Sequence, residues 1–164
     1  MGSSFNKKQF VILLIIVAAA VMRLLPHLPN MTPITAMALF SGVYFTNKNY
    51  AFIIPLLAMI LSDIVLGFSL ITFFVYASFI LVSYIGFASK KIKITTILLS
   101  SLSFFIITNF GVWLIGYPKT LDGLLECYTL ALPFFRNSLI GDFLFSGLMY
   151  YGFEFISRRY LKTA

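Results

Sequence analysis

The sequence predicts an all-α integral membrane protein with six transmembrane helices and both termini in the cytoplasm. Three observations carry that expectation. Of 164 residues, 60% are hydrophobic and only 10% are charged, with a mean hydropathy of +0.99. A soluble domain carries about 25% charged residues, so the charges here are too few to cover a water-facing surface. The apolar residues fall in runs about as long as a bilayer-crossing helix, about 17 to 25 residues, and too uniform for barrel strands. Lysine and arginine, finally, cluster on alternate connections. This composition excludes an ordinary soluble enzyme, a disordered chain and a nucleic-acid binder, despite a net charge of +7. The expected surroundings are a lipid bilayer.

Taken in order, the first span covers residues 10–25 and stops at Pro26, since proline lacks the N–H a continuing helix needs. The second, residues 34–46, ends at Asn47-Lys48-Asn49 and is short enough to be tilted, interfacial or re-entrant. The third and fourth cover residues 50–68 and 70–88, parted at Ser69 just after Gly67. The fifth spans residues 94–116, and the last residues 133–160, with Pro133 as its opening residue. No linker or repeat divides the chain, so residues 1–164 form a single transmembrane domain. A competing reading of the first segment is a cleaved signal peptide, because Lys7-Lys8 precede a short apolar run and Ala18-Ala19-Ala20. Asn6 stands where a myristoylation signal needs Ser or Thr.

Cytoplasmic loops retain Lys and Arg, which orients the bundle. Lys7, Lys8, Lys48, Lys90, Lys91, Lys93, Arg158, Arg159 and Lys162 fall on one side of a six-span arrangement. Arg23, Lys119 and Arg136 fall on the other. The first side is therefore cytoplasmic.

Ionisable and amide side chains are costly in hydrocarbon and mark a partner, a cavity or a substrate route. Arg23 closes the first helix, and Asp63 lies one turn from the outer end of the third. Asn109 stands about 22 Å above the start of the fifth, with Trp113 one turn further out. Arg136 and Asn137 open the last helix, and Asp142 lies about 13 Å in from Pro133. Almost every polar group available for burial thus falls in the outer half. That asymmetry predicts a chamber near the external surface, floored around Asp142. Its roof is expected from the two longer outer connections, Pro26–Pro33 with three prolines and the sixteen residues Tyr117–Leu132. The first of these carries His27, Asn30 and Thr32 and reads as a pocket wall or as a rigid hairpin.

Each candidate has a plainer alternative. Arg23 and Arg136 offer a planar fork to a carboxylate or phosphate, or else snorkel to headgroups or pair with Asp63 and Asp142. Asp142 shares a face with Ser138, Gly141, Ser146 and Gly152, a stripe that suits close helix packing. Trp113 would stack on a ligand ring or join the interfacial aromatic belt. The nineteen phenylalanines read as lipid contact and core packing. His27 is the only histidine and Cys127 the only cysteine, so neither a metal site nor a disulfide is expected. No phosphate loop, zinc-protease motif or nucleophile elbow occurs. We therefore expect no enzyme, no catalytic residue and no cofactor. The expected substrate-binding residues are Arg23, His27, Asn30, Asp63, Asn109, Trp113, Arg136, Asn137 and Asp142.

The run Arg23-Leu-Leu-Pro-His-Leu-Pro-Asn-Met-Thr-Pro-Ile-Thr-Ala-Met-Ala-Leu-Phe-Ser-Gly42 and Pro55-Leu-Leu-Ala-Met-Ile-Leu-Ser-Asp63 resemble a family of small bacterial membrane proteins. Thr108-Asn-Phe-Gly-Val-Trp113 and Arg136-Asn-Ser-Leu-Ile-Gly-Asp142 fit the same pattern. That family is similar in turn to the substrate-binding S components of energy-coupling factor (ECF) transporters. The resemblance implies an S-component-like bundle in the bacterial cytoplasmic (inner) membrane. It implies capture of a small water-soluble nutrient, vitamin-like or metal-related, and partners in a membrane coupling subunit and two ATPase subunits. Small residues four apart, common on the first helix of S components, stand here on the second, at Ala38 and Gly42. The alternative is a non-transporting scaffold of the cell envelope, which would hold partners on apolar helix faces and need no pocket.

Overall fold

The computed structural model describes residues 6–26 and 29–161. Every regular element among them is helical: α1 Lys7–Met22, α2 Ile34–Tyr44, α3 Lys48–Leu66, α4 Thr72–Ser89, α5 Ile94–Gly116 and α6 Leu121–Ile156, continued by a π-helical turn at Ser157–Leu161. Four of them, α3, α4, α5 and α6 with its π turn, are long and apolar enough to cross a membrane. Their outward faces fit that solvent: Leu61, Val65, Phe73 and Leu148 are each more than half exposed. In water such a belt would be an aggregation surface, whereas in lipid it is an ordinary helix face.

Local chemistry sets the helix ends. Asn6 and Gln9 form a reciprocal capping box on α1, with the Asn6 Oδ1 accepting from Gln9 N at 2.9 Å and Gln9 Oε1 accepting from Asn6 N at 3.0 Å. Asn47 caps α3 by accepting from Asn49 N at 2.9 Å. Gly67 ends α3 with φ +93°, a conformation open to glycine and strained for other residues.

At 11 residues α2 is about 16 Å long, too short for a bilayer core of about 30 Å. It is nevertheless the centre of the molecule, packing against α1, α3, α4, α5 and α6. Its residues Thr35 to Gly42 are all buried. Glycine makes the tightest of these contacts possible. A Cβ at Gly42 would stand 2.1 Å from the Ser83 carbonyl oxygen, and one at Gly86 2.5 Å from that of Leu39. Beyond the crossing, Phe40 and Tyr44 stack with Phe153 of α6.

The last helix corrects the sequence reading. Residues 117–132 are expected as an outer loop, with the helix opening at Pro133. The connection is instead four residues, 117–120, and α6 starts at Leu121 and runs 36 residues with Pro133 inside it. Thr120 is the N-cap, its hydroxyl accepting from Gly123 N at 3.2 Å, and Asp122 lies in the first turn. Residues 121–132 pack along α5, where Tyr128 donates to the Ile106 carbonyl at 2.7 Å. The pair is a helical hairpin, so the expected roof from this segment is a helical wall. Trp113 Nε1 donates to Pro118 O at 3.0 Å across its turn.

The bundle has two unlike ends. Lys7, Lys8, Lys48, Lys90, Lys91, Lys93, Arg158 and Arg159 lie at or beside the helix termini of one end. The other end gathers the C-termini of α1, α3 and α5 and the N-termini of α4 and α6.

Candidate binding cavity

A cavity of about 450 Å³ opens at the end opposite the cluster of eight cations. Two stripes with one spacing form its longest walls. Ser101, Phe105, Thr108 and Val112 lie on α5, and Ala131, Phe135, Ser138 and Asp142 on α6. Steps of four, three and four residues keep each set on one helix face. Antiparallel packing brings the stripes together, with the Phe105 and Phe135 rings 4.5 Å apart. Phe104, Phe134, Leu66, Ile71 and Val75 add apolar wall, and Asn30, Thr32, Ile34 and Thr35 enter from the connection before α2 and its first turn.

At the floor, the Asp142 carboxylate accepts from the Ser101 hydroxyl at 2.6 Å and shares a side-chain hydrogen bond with Thr35. Asp142 is 2% exposed, Ser101 2% and Thr35 5%. Thr35 stands in the first turn of α2, whose N-cap Pro33 supplies no side-chain cap. The carboxylate of α6 therefore sits against the positive end of a short central helix. Asn109 lines the wall above, anchored by its Nδ2 donating to Phe105 O at 2.8 Å.

Arg23 lines the mouth, and its charge is committed. Its Nη1 lies 2.6 Å from Asp63 Oδ1 and also donates to the Ser62 hydroxyl, while Tyr76 donates to Asp63 Oδ2 at 2.7 Å. This cluster pins α1, α3 and α4 together beside the cavity. The connection before α2 is pinned as well. Asn137 Nδ2 donates to Pro29 O at 3.3 Å, and a Cβ at Gly141 would stand 3.3 Å from the Met31 backbone.

Of the expected binding residues, Arg23, Asn30, Asn109 and Asp142 line the cavity together. Asp63 sits behind Arg23 as its counter-ion. Asn137 holds the connection before α2. Trp113 holds the α5–α6 turn, with the Lys119 ammonium 5.8 Å from its ring centre. Arg136 is exposed on α6 and lies outside the lining. His27 falls outside the described residues. The sequence reading missed Thr35, Ser101 and the four cavity phenylalanines. The four-three-four spacing shared by residues 101–112 and 131–142 is a signal for Ser101, Phe105 and Phe135, whereas Thr35, Phe104 and Phe134 lie off that pattern.

Buried hydroxyls are not confined to the cavity end, contrary to the expected asymmetry. Ser41, Ser83, Thr96, Ser100 and Ser146 are buried in the other part of the bundle. A helix can satisfy such a hydroxyl locally, as Thr96 does by donating to Lys93 O at 2.9 Å, whereas the Ser100 and Ser146 hydroxyls have no hydrogen-bond partner among the described residues. Among the described residues no group of three or more His, Cys, Asp or Glu side chains is placed to hold a metal ion.

A family model matches residues 3–163, nearly the whole chain. The chain belongs to DUF6580, a family of unknown function. No curated protein and no solved structure matches it.

Proposed function

We propose that the protein is a membrane-embedded binding subunit for uptake of a small water-soluble nutrient, held in a cavity that opens outward. One observation carries the reading: a cavity of about 450 Å³ with aromatic walls and a few convergent polar groups. Ligand sites are typically about 300 to 1,000 Å³, largely apolar, with few and well-placed polar groups. A scaffold has no use for such a chamber, and some candidate groups that pair off, such as Arg23 with Asp63, do so beside it rather than in place of it.

The remaining parts of the proposal follow from charge and from resemblance. Eight described cations gather at the end opposite the cavity, which by the positive-inside tendency is the cytoplasmic end. Both termini are then cytoplasmic, the six helices form a six-segment bundle in a bacterial inner membrane, and the cavity faces out. Similarity to S components adds a membrane coupling subunit and two ATPase subunits as partners. We propose binding and transport rather than catalysis.

Native mass spectrometry of gently extracted protein tests this. A retained small molecule, displaced when the cavity is filled by Ser138→Phe, is the expected result. Protein that is free of any small molecule, from cells grown in rich medium, would overturn it.

A further inference from the structure

We infer that the ligand is an organic cation, an amine on an apolar or aromatic body, whose ammonium group meets Asp142 at the cavity floor; this rests on the cavity being a solute site. The charge balance of the chamber is the first argument. Among the described residues the ion pairs are Arg23 with Asp63 and Arg158 with Glu154, and Asp142 belongs to neither. Arg23 and Asp63 cancel, so Asp142 is the acid of the cavity's lining that has no ionic partner among the described residues. The α2 N-terminus offers about half a positive charge and offsets only part of it. The two hydroxyls on Asp142, from Ser101 and Thr35, leave lone pairs of its two oxygens free to accept from a ligand.

The walls give a second, independent argument. Phe104, Phe105, Phe134 and Phe135 line the same cavity as the carboxylate, with the Phe105 and Phe135 rings 4.5 Å apart. A phenyl face carries negative quadrupole density and attracts a cation within about 6 Å of its centre. Aromatic walls over a carboxylate floor therefore favour a cation with apolar bulk twice over. An anion would meet repulsion at the floor and find no uncommitted cation on the wall. Asn109, with its Nδ2 turned to Phe105 O, keeps its carbonyl oxygen as a further acceptor for N–H groups.

The test uses three probes of one shape and different charge, with full-length protein in detergent: 2-phenylethylamine, 2-phenylethanol and phenylacetate. Calorimetric titration, referenced to empty micelles, reads affinity. The amine is expected to bind at least about tenfold tighter than the alcohol, as charge-assisted hydrogen bonds are the stronger class, and phenylacetate is expected not to bind. Asp142→Asn keeps the shape of the floor and is expected to erase the amine's advantage. Because the charge series is run on the unsubstituted protein, a variant that fails to fold leaves the test intact. Equal or tighter binding of the alcohol or the acid, lost in Ser138→Phe, would overturn the cationic class while upholding a solute cavity. Sodium chloride that stabilises the protein against heat through Asp142, with no response to the amine, would overturn it in favour of an inorganic cation. No binding of any probe would also overturn it, and native mass spectrometry then decides separately whether the cavity holds a solute.

Discussion

Removing the Arg23 guanidinium strands the Asp63 carboxylate, whose side chain is 4% exposed, among apolar helices. Breaking a buried pair from one side costs about 3–5 kcal/mol, because the abandoned charge keeps its desolvation penalty. Arg23→Ala is therefore expected to lower the melting temperature of detergent-solubilised protein sharply. Arg23→Met with Asp63→Leu, which removes both charges, should recover most of the loss. Equal melting of the single and double variants would show that the pair does not hold α1 to α3. The mouth and the exposed face of α6 separate in the same way. Asn109→Ala is expected to abolish the small-molecule adduct in native mass spectra, whereas Arg136→Ala, an exposed position off the lining, should leave it unchanged. Loss of the adduct in Arg136→Ala alone would move the site to the outer surface of α6. At this scale the sequence is informative about which residues are expensive to bury, and it offers Asp63 as a partner for Arg23 without deciding between that pair and a ligand. Asp63 and Arg23 are 40 positions apart, so their pairing is a product of helix packing that no local pattern encodes.

Among the elements, α2 and α4 carry the closest approach, and glycine at two facing positions permits it. A methyl group at Gly42 or Gly86 would meet backbone oxygen inside 3 Å, and backbone cannot step aside as a side-chain tip can. Overpacking of this kind costs about 1–3 kcal/mol in ordinary cores and more where backbone must move. Gly42→Ala and Gly86→Ala are thus expected to reduce the yield of monodisperse protein in size-exclusion chromatography. Gly147→Ala in α6 has nothing within 4 Å of the added carbon and should be neutral, or stabilising by up to about 1 kcal/mol, since alanine is the better helix former. Melting curves that rank the three alike would remove the argument. The bounds of α5 were readable because Lys93 and the Gly116-Tyr-Pro sequence bracket an unbroken apolar run. The start of α6 was misread for a physical reason. Pro133 suits a helix's first turn, so it drew the boundary to itself, while Asp122, Gly123 and Glu126 diluted the hydropathy before it. The Thr120 cap and the acid two residues later were the better signal.

For the molecule as a whole, sidedness decides whether the cavity can capture anything from outside. Eight cations at one end, if cytoplasmic, turn the cavity outward, and an inverted bundle would turn it inward. Cys127 is 2% exposed, so it contributes little background to labelling by a maleimide that cannot cross membranes. Leu121, at the cavity end of α6, is 70% exposed, and Lys91, in the α4–α5 turn at the opposite end, is exposed. In intact cells, Leu121→Cys is expected to label at once and Lys91→Cys only after the membrane is permeabilised. The reverse pattern would turn the cavity toward the cytoplasm. A chamber facing that way takes up nothing from outside, and the uptake proposal would fall with it. Labelling of both positions in intact cells would mean that the helices do not alternate across the bilayer. The short α2 bears directly on that outcome, because at about 16 Å it is too short to cross a bilayer core by itself.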